Sequence, residues 1–198
     1  MTDLAEDDSM LRRVFLDART HYFWSDRRVD DDLLRRIWDL TRMPPTGANC
    51  QPTRIVFIKT QDAKELLRPC LSPNNVEKTM AAPVTAVIGY DLDFPDLLPR
   101  LYPHVPGFRS RYIGEAKKTF DTAFRNGSLQ AAYFILAARS LGLDCGPMGG
   151  FDCDMVDAAF FQGGRIKSNL LVNLGYGDAA RLPPRSPRLD FDEACKVI

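Results

Sequence analysis

The sequence is poor in histidine, with only His21 and His104, and its five cysteines (Cys50, Cys70, Cys145, Cys153 and Cys195) contain no Cys-x-x-Cys pair. No zinc cluster of ordinary spacing can be assembled, and the thiols read as reduced side chains of a cytoplasmic protein. An excess of either charge is also missing, since Lys plus Arg and Asp plus Glu are both 26. No global field draws the chain to nucleic acid or an anionic membrane, so any anion site must be local. Long apolar runs are absent too. The most hydrophobic stretch, Leu129 to Leu141, is broken by Gln130, Arg139 and Ser140, well short of the ~20 apolar residues of a membrane span. Acidic residues 1–9 lack the basic and apolar regions of a signal peptide and are expected to be a disordered tail. Without repeats or linkers, residues 1–198 fit a single domain, long enough to bury roughly 70% of its unfolded surface.

The chain is organised around the stretch from Phe120 to Phe151, a long helix that runs into a glycine-rich loop. From Leu129 to Leu141 the residues are apolar on nearly every side, which predicts burial all round. Gly127, Ser128, Ala131, Ala132, Ala137 and Ala138 are small enough for close approach of a neighbouring backbone, and a dimer contact is expected here. Gly142 is the natural left-handed residue past the helix end. The loop that follows, with Pro147, Met148, Gly149 and Gly150, is where chemistry is expected.

Earlier in the chain, a short amphipathic helix from Met10 to Ala18 leads into Arg19-Thr20-His21. These three are either an anion site of fork, hydroxyl and imidazole or a solvated helix terminus with an aromatic anchor. Asp30 to Asp32 open the next helix at its positive dipole end, and Pro44-Pro45 stops it. The turn-rich segment 44–52 is an ordinary connection or a rigid loop presenting Asn49 and Gln51, whose amides carry both donor and acceptor. Alternation of β-branched residues predicts a strand over Arg54–Thr60, and apolar runs predict strands over Pro83–Tyr90 and Ser168–Gly175. Helices are expected over Gln61–Arg68, over a segment opened by Leu71–Lys78, over Asp154–Phe161 with Asp152 as its cap, and from Asp192. Asn75 and Lys78 share a helix face and either hold an electron-rich carbonyl or face water. Between 91 and 111, prolines and arginines mark a lid or binding loop in which Arg109 or Arg111 either meets a substrate carboxylate or faces solvent. Arg185 and Arg188, in a proline-stiffened tail, are a solvated end or the far jaw of a phosphate clamp.

Taken in order, Ala18-Arg19-Thr20, the segment Pro45 to Pro52, Asn75 to Lys78, Gly146 to Phe151 and the Arg185/Arg188 tail resemble the FMN-dependent nitroreductase family. The stretches Thr122–Asn126, Lys167–Gly177 and Phe191–Cys195 are most similar to the malonic semialdehyde reductases of the Rut pathway of pyrimidine (uracil) degradation. The resemblance implies an α+β fold with a mixed, mostly antiparallel sheet flanked by helices, and an intertwined homodimer with FMN at its interface. It implies that Arg19 and Thr20, with His21 as an adjustable third, and Arg185 or Arg188 hold the FMN phosphate. Asn75 and Lys78 would meet the pyrimidine edge, the backbone of Pro147 to Gly150 the flavin N5, and Thr46, Asn49 and Gln51 would come from the second chain. NADPH or NADH would be the co-substrate and malonic semialdehyde the oxidant. The alternatives are a broad nitro or quinone reductase and a flavin-binding protein without turnover. Two positions depart from the family: Tyr22 where many relatives carry a second basic residue, and Gly149 where they often carry Glu. No side chain stands out as a general acid.

Overall fold

The computed structural model describes residues 9–198. The expected tail therefore lies outside the described residues except for Ser9, which opens a first helical turn, α1 (Ser9–Leu11). A wider π-turn over Arg12–Leu16 follows, so the amphipathic helix expected to reach Ala18 ends earlier. The other helices are α2 (Asp31–Thr41), α3 (Gln61–Leu67), α4 (Pro73–Ala81), α5 (Leu98–Leu101), α6 (Ala116–Ser140), α7 (Cys153–Phe160) and α8 (Phe191–Ala194).

The strands are β1 (Thr53–Ile58), β2 (Val84–Asp91), β3 (Asp144–Met148) and β4 (Ile166–Gly175), in the order β1-β2-β4-β3. All three pairings are antiparallel. The parallel component expected of a mixed sheet is reduced to an isolated bridge between Thr20 and Cys145. β2 and β4 lie in the middle, and their period-two pattern feeds two cores. Ala86, Ile88, Val172 and Leu174 face a cluster with Ile37 of α2 and Phe134 of α6. Val87 and Leu171 face Leu67 of α3 and Val156 of α7. Burial on both faces explains why these strands read as near-continuous apolar runs.

β3 corrects the expectation of a loop over 143–151. Asp144-Cys145-Gly146-Pro147-Met148 looks like turn chemistry, yet it is a strand because it lies at the sheet edge, where proline's missing N–H costs no ladder bond. Of that span, Leu143, Gly149 and Gly150 remain as loop, and Phe151 forms an isolated bridge with Leu71. Asp152 caps α7 by accepting from the Met155 N–H, and Gly142 takes the left-handed conformation at φ 87°.

α6 also departs from expectation. It starts four residues before Phe120, and large apolar side chains stand open on two of its faces, Phe120 and Phe124 on one and Leu129 and Tyr133 on nearly the opposite one. Phe120, Phe124, Leu129 and Tyr133 are 45, 46, 46 and 42% exposed, whereas Gln130, Ala131, Phe134 and Ala138 are buried against the sheet. Burial all round therefore does not hold within one chain.

Candidate functional site

Three segments far apart in sequence enclose a cavity of about 360 Å³. Residues 15–22 give it Arg19, Thr20 and Tyr22, the tail gives Arg185 and Arg188, and α6 gives Arg139. Among the described residues that line it there is no carboxylate. The guanidinium groups are held by main-chain carbonyls. Arg19 donates to Pro183 O. Arg185 donates to Leu16 O and Ala18 O at 2.7 and 3.1 Å, and Arg188 to Ser186 O and Pro187 O. Carbonyls fix the forks without neutralising them, so the cavity stays positive and suits a multiply charged anion.

Tyr22 also borders a second cavity, of about 310 Å³, lined by Phe23, Asn74, Glu77, Lys78 and Ala81. The ammonium of Lys78 stands 4.7 Å from the centre of the Tyr22 ring, a favourable place for a cation on an aromatic face. Partial burial lowers the Lys78 pKa. The main chain there is fastened twice: Lys78 O accepts from Trp24 Nε1 at 3.1 Å and from Asn173 Nδ2 at 3.3 Å.

α4 also reaches the end of β3. Asn75 Nδ2 donates to Gly150 O at 2.7 Å, and Thr79 Oγ1 donates to Met148 Sδ at 3.5 Å. A Cβ at Gly150 would come within 2.6 Å of Asn75 Nδ2, whereas one at Gly149 would meet nothing within 4 Å. Gly150 is thus required by packing, and Gly149 faces open space. Met148 is buried and packs inward.

Other expected site residues fall elsewhere. His21 is buried, its Nε2 3.4 Å from Asp144 Oδ1, and a Cβ on Gly177 would overlap its ring. It is absent from the lining of the Arg19 cavity, so the observed contacts of its imidazole are with Asp144 and Gly177 rather than with that cavity. Arg109 is spent on Asp96 at 2.7 Å, and Arg111 lies 4.6 Å from the Phe108 ring centre. Neither lines a cavity with Arg19 or Lys78, so the expected substrate role has no support within one chain.

Thr46, Asn49 and Gln51 also stand apart from the Arg19 cavity. Their loop is self-braced: Gln51 N donates to Thr46 Oγ1, Gln51 Nε2 to Asn49 Oδ1 and Asn49 Nδ2 to Leu101 O. Ala48, Asn49 and Gln51 all have positive φ, at 52, 49 and 39°, conformations that persist only where surroundings enforce them. Gly47 N donates to Asn126 Oδ1 at 2.8 Å, which ties the loop to α6, the helix with the exposed apolar side chains.

Sequence reasoning missed Arg139 and the supports of Lys78. The signal for Arg139 was a lone cation inside an apolar helix, since arginine is rarely buried without a partner. Trp24 and Asn173 gave no comparable signal.

The profile of the nitroreductase family matches residues 17–176. A relative from Polynucleobacter asymbioticus is 54% identical over 192 residues, 97% of each chain. One from Burkholderia lata is 57% identical over 197 residues and the whole of both chains. Both carry the provisional name NADH dehydrogenase/NAD(P)H nitroreductase. Among solved structures, a provisional nitroreductase from Bacillus subtilis aligns with TM-score 0.82 at 21% identity, covering 95% of this chain and 98% of that one. Another, from Exiguobacterium sibiricum and in complex with FMN, aligns with TM-score 0.83 at 20% identity, covering 96% and 97%. At such identities the likeness shows the fold.

Proposed function

The chain belongs to the nitroreductase family, and on that premise we propose that it is a single-domain, FMN-dependent NAD(P)H oxidoreductase that works as a homodimer. The observation that carries this reading is that the carboxylate-free Arg19 cavity and the cavity beside Lys78 share Tyr22 as a common wall. The residues fit the cofactor: a positive cavity suits its phosphate, and α4 together with Gly149 leaves a cation and open space for a flat ring.

Arg19, Thr20, Arg185 and Arg188 would hold the phosphate. Lys78 would set a positive charge beside the pyrimidine edge, favouring negative charge gathered there. Asn75 would position the Pro147–Gly150 backbone through its bond to Gly150. When bound, FMN supplies hydride transfer, taking hydride from NAD(P)H and passing it to a second substrate. Thr46, Asn49 and Gln51 would serve the cavity of a second copy docked through Phe120, Phe124, Leu129 and Tyr133. Exposed apolar side chains on two faces of one helix call for a partner that wraps around it.

For the second substrate the proposal follows the likeness of Thr122–Asn126, Lys167–Gly177 and Phe191–Cys195 to malonic semialdehyde reductases. The aldehyde carbon takes the hydride and its oxygen takes a solvent proton, giving 3-hydroxypropionate as NAD(P)H is oxidised. The open, uncharged position at Gly149 favours a small anion. We place the activity in the cytoplasm, where thiols such as the exposed Cys153 stay reduced. Turnover of malonic semialdehyde and nitrofurazone at equal NADPH tests the choice. A large preference for the nitro compound refutes it in favour of a broad nitroreductase, as the relatives' names suggest. Bound flavin that NAD(P)H fails to bleach would refute enzymatic turnover altogether.

A further inference from the structure

We infer that Arg139 is a fourth phosphate-binding guanidinium, reaching the anion cavity from the core helix α6 and making the site selective for phosphorylated over unphosphorylated flavin. The inference rests on the flavin reading above and adds to it a residue outside the motifs that carry the family resemblance.

Arg139 sits in the last turn of α6, and its side chain lines the same cavity as Arg19, Arg185 and Arg188. Its Nη1 donates to Val14 O at a long 3.3 Å, and among the described residues its buried Nε has no acceptor. A partly buried guanidinium with so few partners is costly. The described residues that line the cavity are positive or neutral, so none of them pairs with its charge. An anion in the cavity answers that charge.

The other three guanidinium groups come from the N-terminal stretch and the tail. Arg139 instead projects from the core helix, which packs on the sheet through Phe134 and Ala138. A donor anchored on that helix gives the phosphate a fixed point beside the carbonyl-held arginines. Loss of the fork should therefore act on the phosphate and spare the ring.

The test uses the full chain and follows binding of FMN and riboflavin side by side by quenching of flavin fluorescence. Inorganic phosphate is added separately and read by its shift of the unfolding temperature. For Arg139→Gln the expected result is a roughly 10- to 100-fold loss of FMN affinity, the size of one lost charge-assisted hydrogen bond. Riboflavin affinity stays unchanged and the phosphate shift shrinks. Arg139→Lys, which keeps the charge but not the fork, should recover part of the loss. Equal losses for FMN and riboflavin, or no loss at all, overturn the proposal and leave Arg139 as a packing residue. If Arg139→Gln does not fold, Arg139→Lys decides: weaker FMN with unchanged riboflavin supports the proposal, and no change in either overturns it. The flavin reading fails separately. Wild-type protein that binds neither flavin, yet is stabilised by phosphate in a way that Arg139→Gln weakens, leaves the anion site standing and removes FMN.

Discussion

The Arg19 cavity and the Thr46–Gln51 loop reach order by opposite means. In the cavity, guanidinium groups from three remote segments converge on main-chain carbonyls of the same chain and leave their charge unanswered. In the loop, polar side chains bond to one another, three residues other than glycine hold positive φ, and the assembly is pinned to α6 through Asn126. The cavity is open to a ligand, whereas the loop is internally complete and tied to α6. On the proposed dimeric reading the two would be halves of one site, each supplied by a different copy.

Complementation between chains tests that split most sharply. Arg19→Gln spoils only the cavity and Gln51→Ala only the loop, so each homodimer should bind FMN poorly. Mixed after unfolding, the two variants should regain about a quarter of the wild-type capacity, because half of the dimers are hybrid and one of each hybrid's two sites is intact. No recovery would mean that the loop serves its own chain, and the comparison would break.

The next effect is on assembly. Phe124 is exposed on α6 and stacks on Phe120 with ring centroids 5.9 Å apart. Phe124→Glu places charge among these exposed apolar side chains and should convert dimer to monomer in sedimentation. The monomer should keep its fold, since Phe124 is 46% exposed and meets the core through an edge-on contact with Tyr90. A variant that stays dimeric would remove this face from the interface.

A smaller effect is expected at the ring end. Lys64 of α3 is only 5% exposed, and its ammonium donates to the carbonyls of Thr79, Met80 and Ala82. It thereby caps the C-terminal end of α4, where a cation also complements the helix dipole. Lys64→Met leaves those acceptors unpaired and should cost about 1–3 kcal/mol in urea unfolding. Because α4 carries Asn75 and Lys78, riboflavin binding should weaken along with FMN binding, in contrast to a cavity lesion. A loss confined to FMN would contradict the division of labour between the two ends.

The frame was legible where burial follows a period. β2 and β4 announced themselves as apolar runs, α2 by its acidic first turn and the prolines beyond its end, and α7 by its Asp152 cap. β3 was hidden, because Gly146 and Pro147 signal turns and only the sheet edge makes them tolerable. Arg19, Thr20 and the tail arginines could be named from motifs, and the structure brings them to one cavity. Arg139 could not, since its role depends on which carbonyls and cations surround the last turn of a helix. A dimer contact on α6 was expected, but not which of its apolar side chains stay open: a helix that is apolar all round looks the same whether its cover comes from its own chain or another.

His21 gives the smallest effect and separates the two regions by pH. Burial lowers its pKa below the usual value of 6.5, opposed by the nearby Asp144 carboxylate. The unfolded chain therefore takes up a proton below about pH 6.5 that the folded chain resists. The stability tied to neutral His21 is fully present above that pH and is lost as pH falls toward the depressed folded value. The slope is at most one proton's worth, about 1.4 kcal/mol per pH unit. Urea unfolding of wild type and His21→Gln at several pH values between about 5 and 8 should show the steeper acid decline in wild type. Arg19 and Arg139 also push this pKa down, so phosphate bound among them should offset their charge and flatten the wild-type decline. Changes in the Thr46–Gln51 loop, far from this imidazole, should leave the slope alone. An acid slope that responds to Gln51→Ala but not to phosphate would place His21 in the wrong half of the molecule.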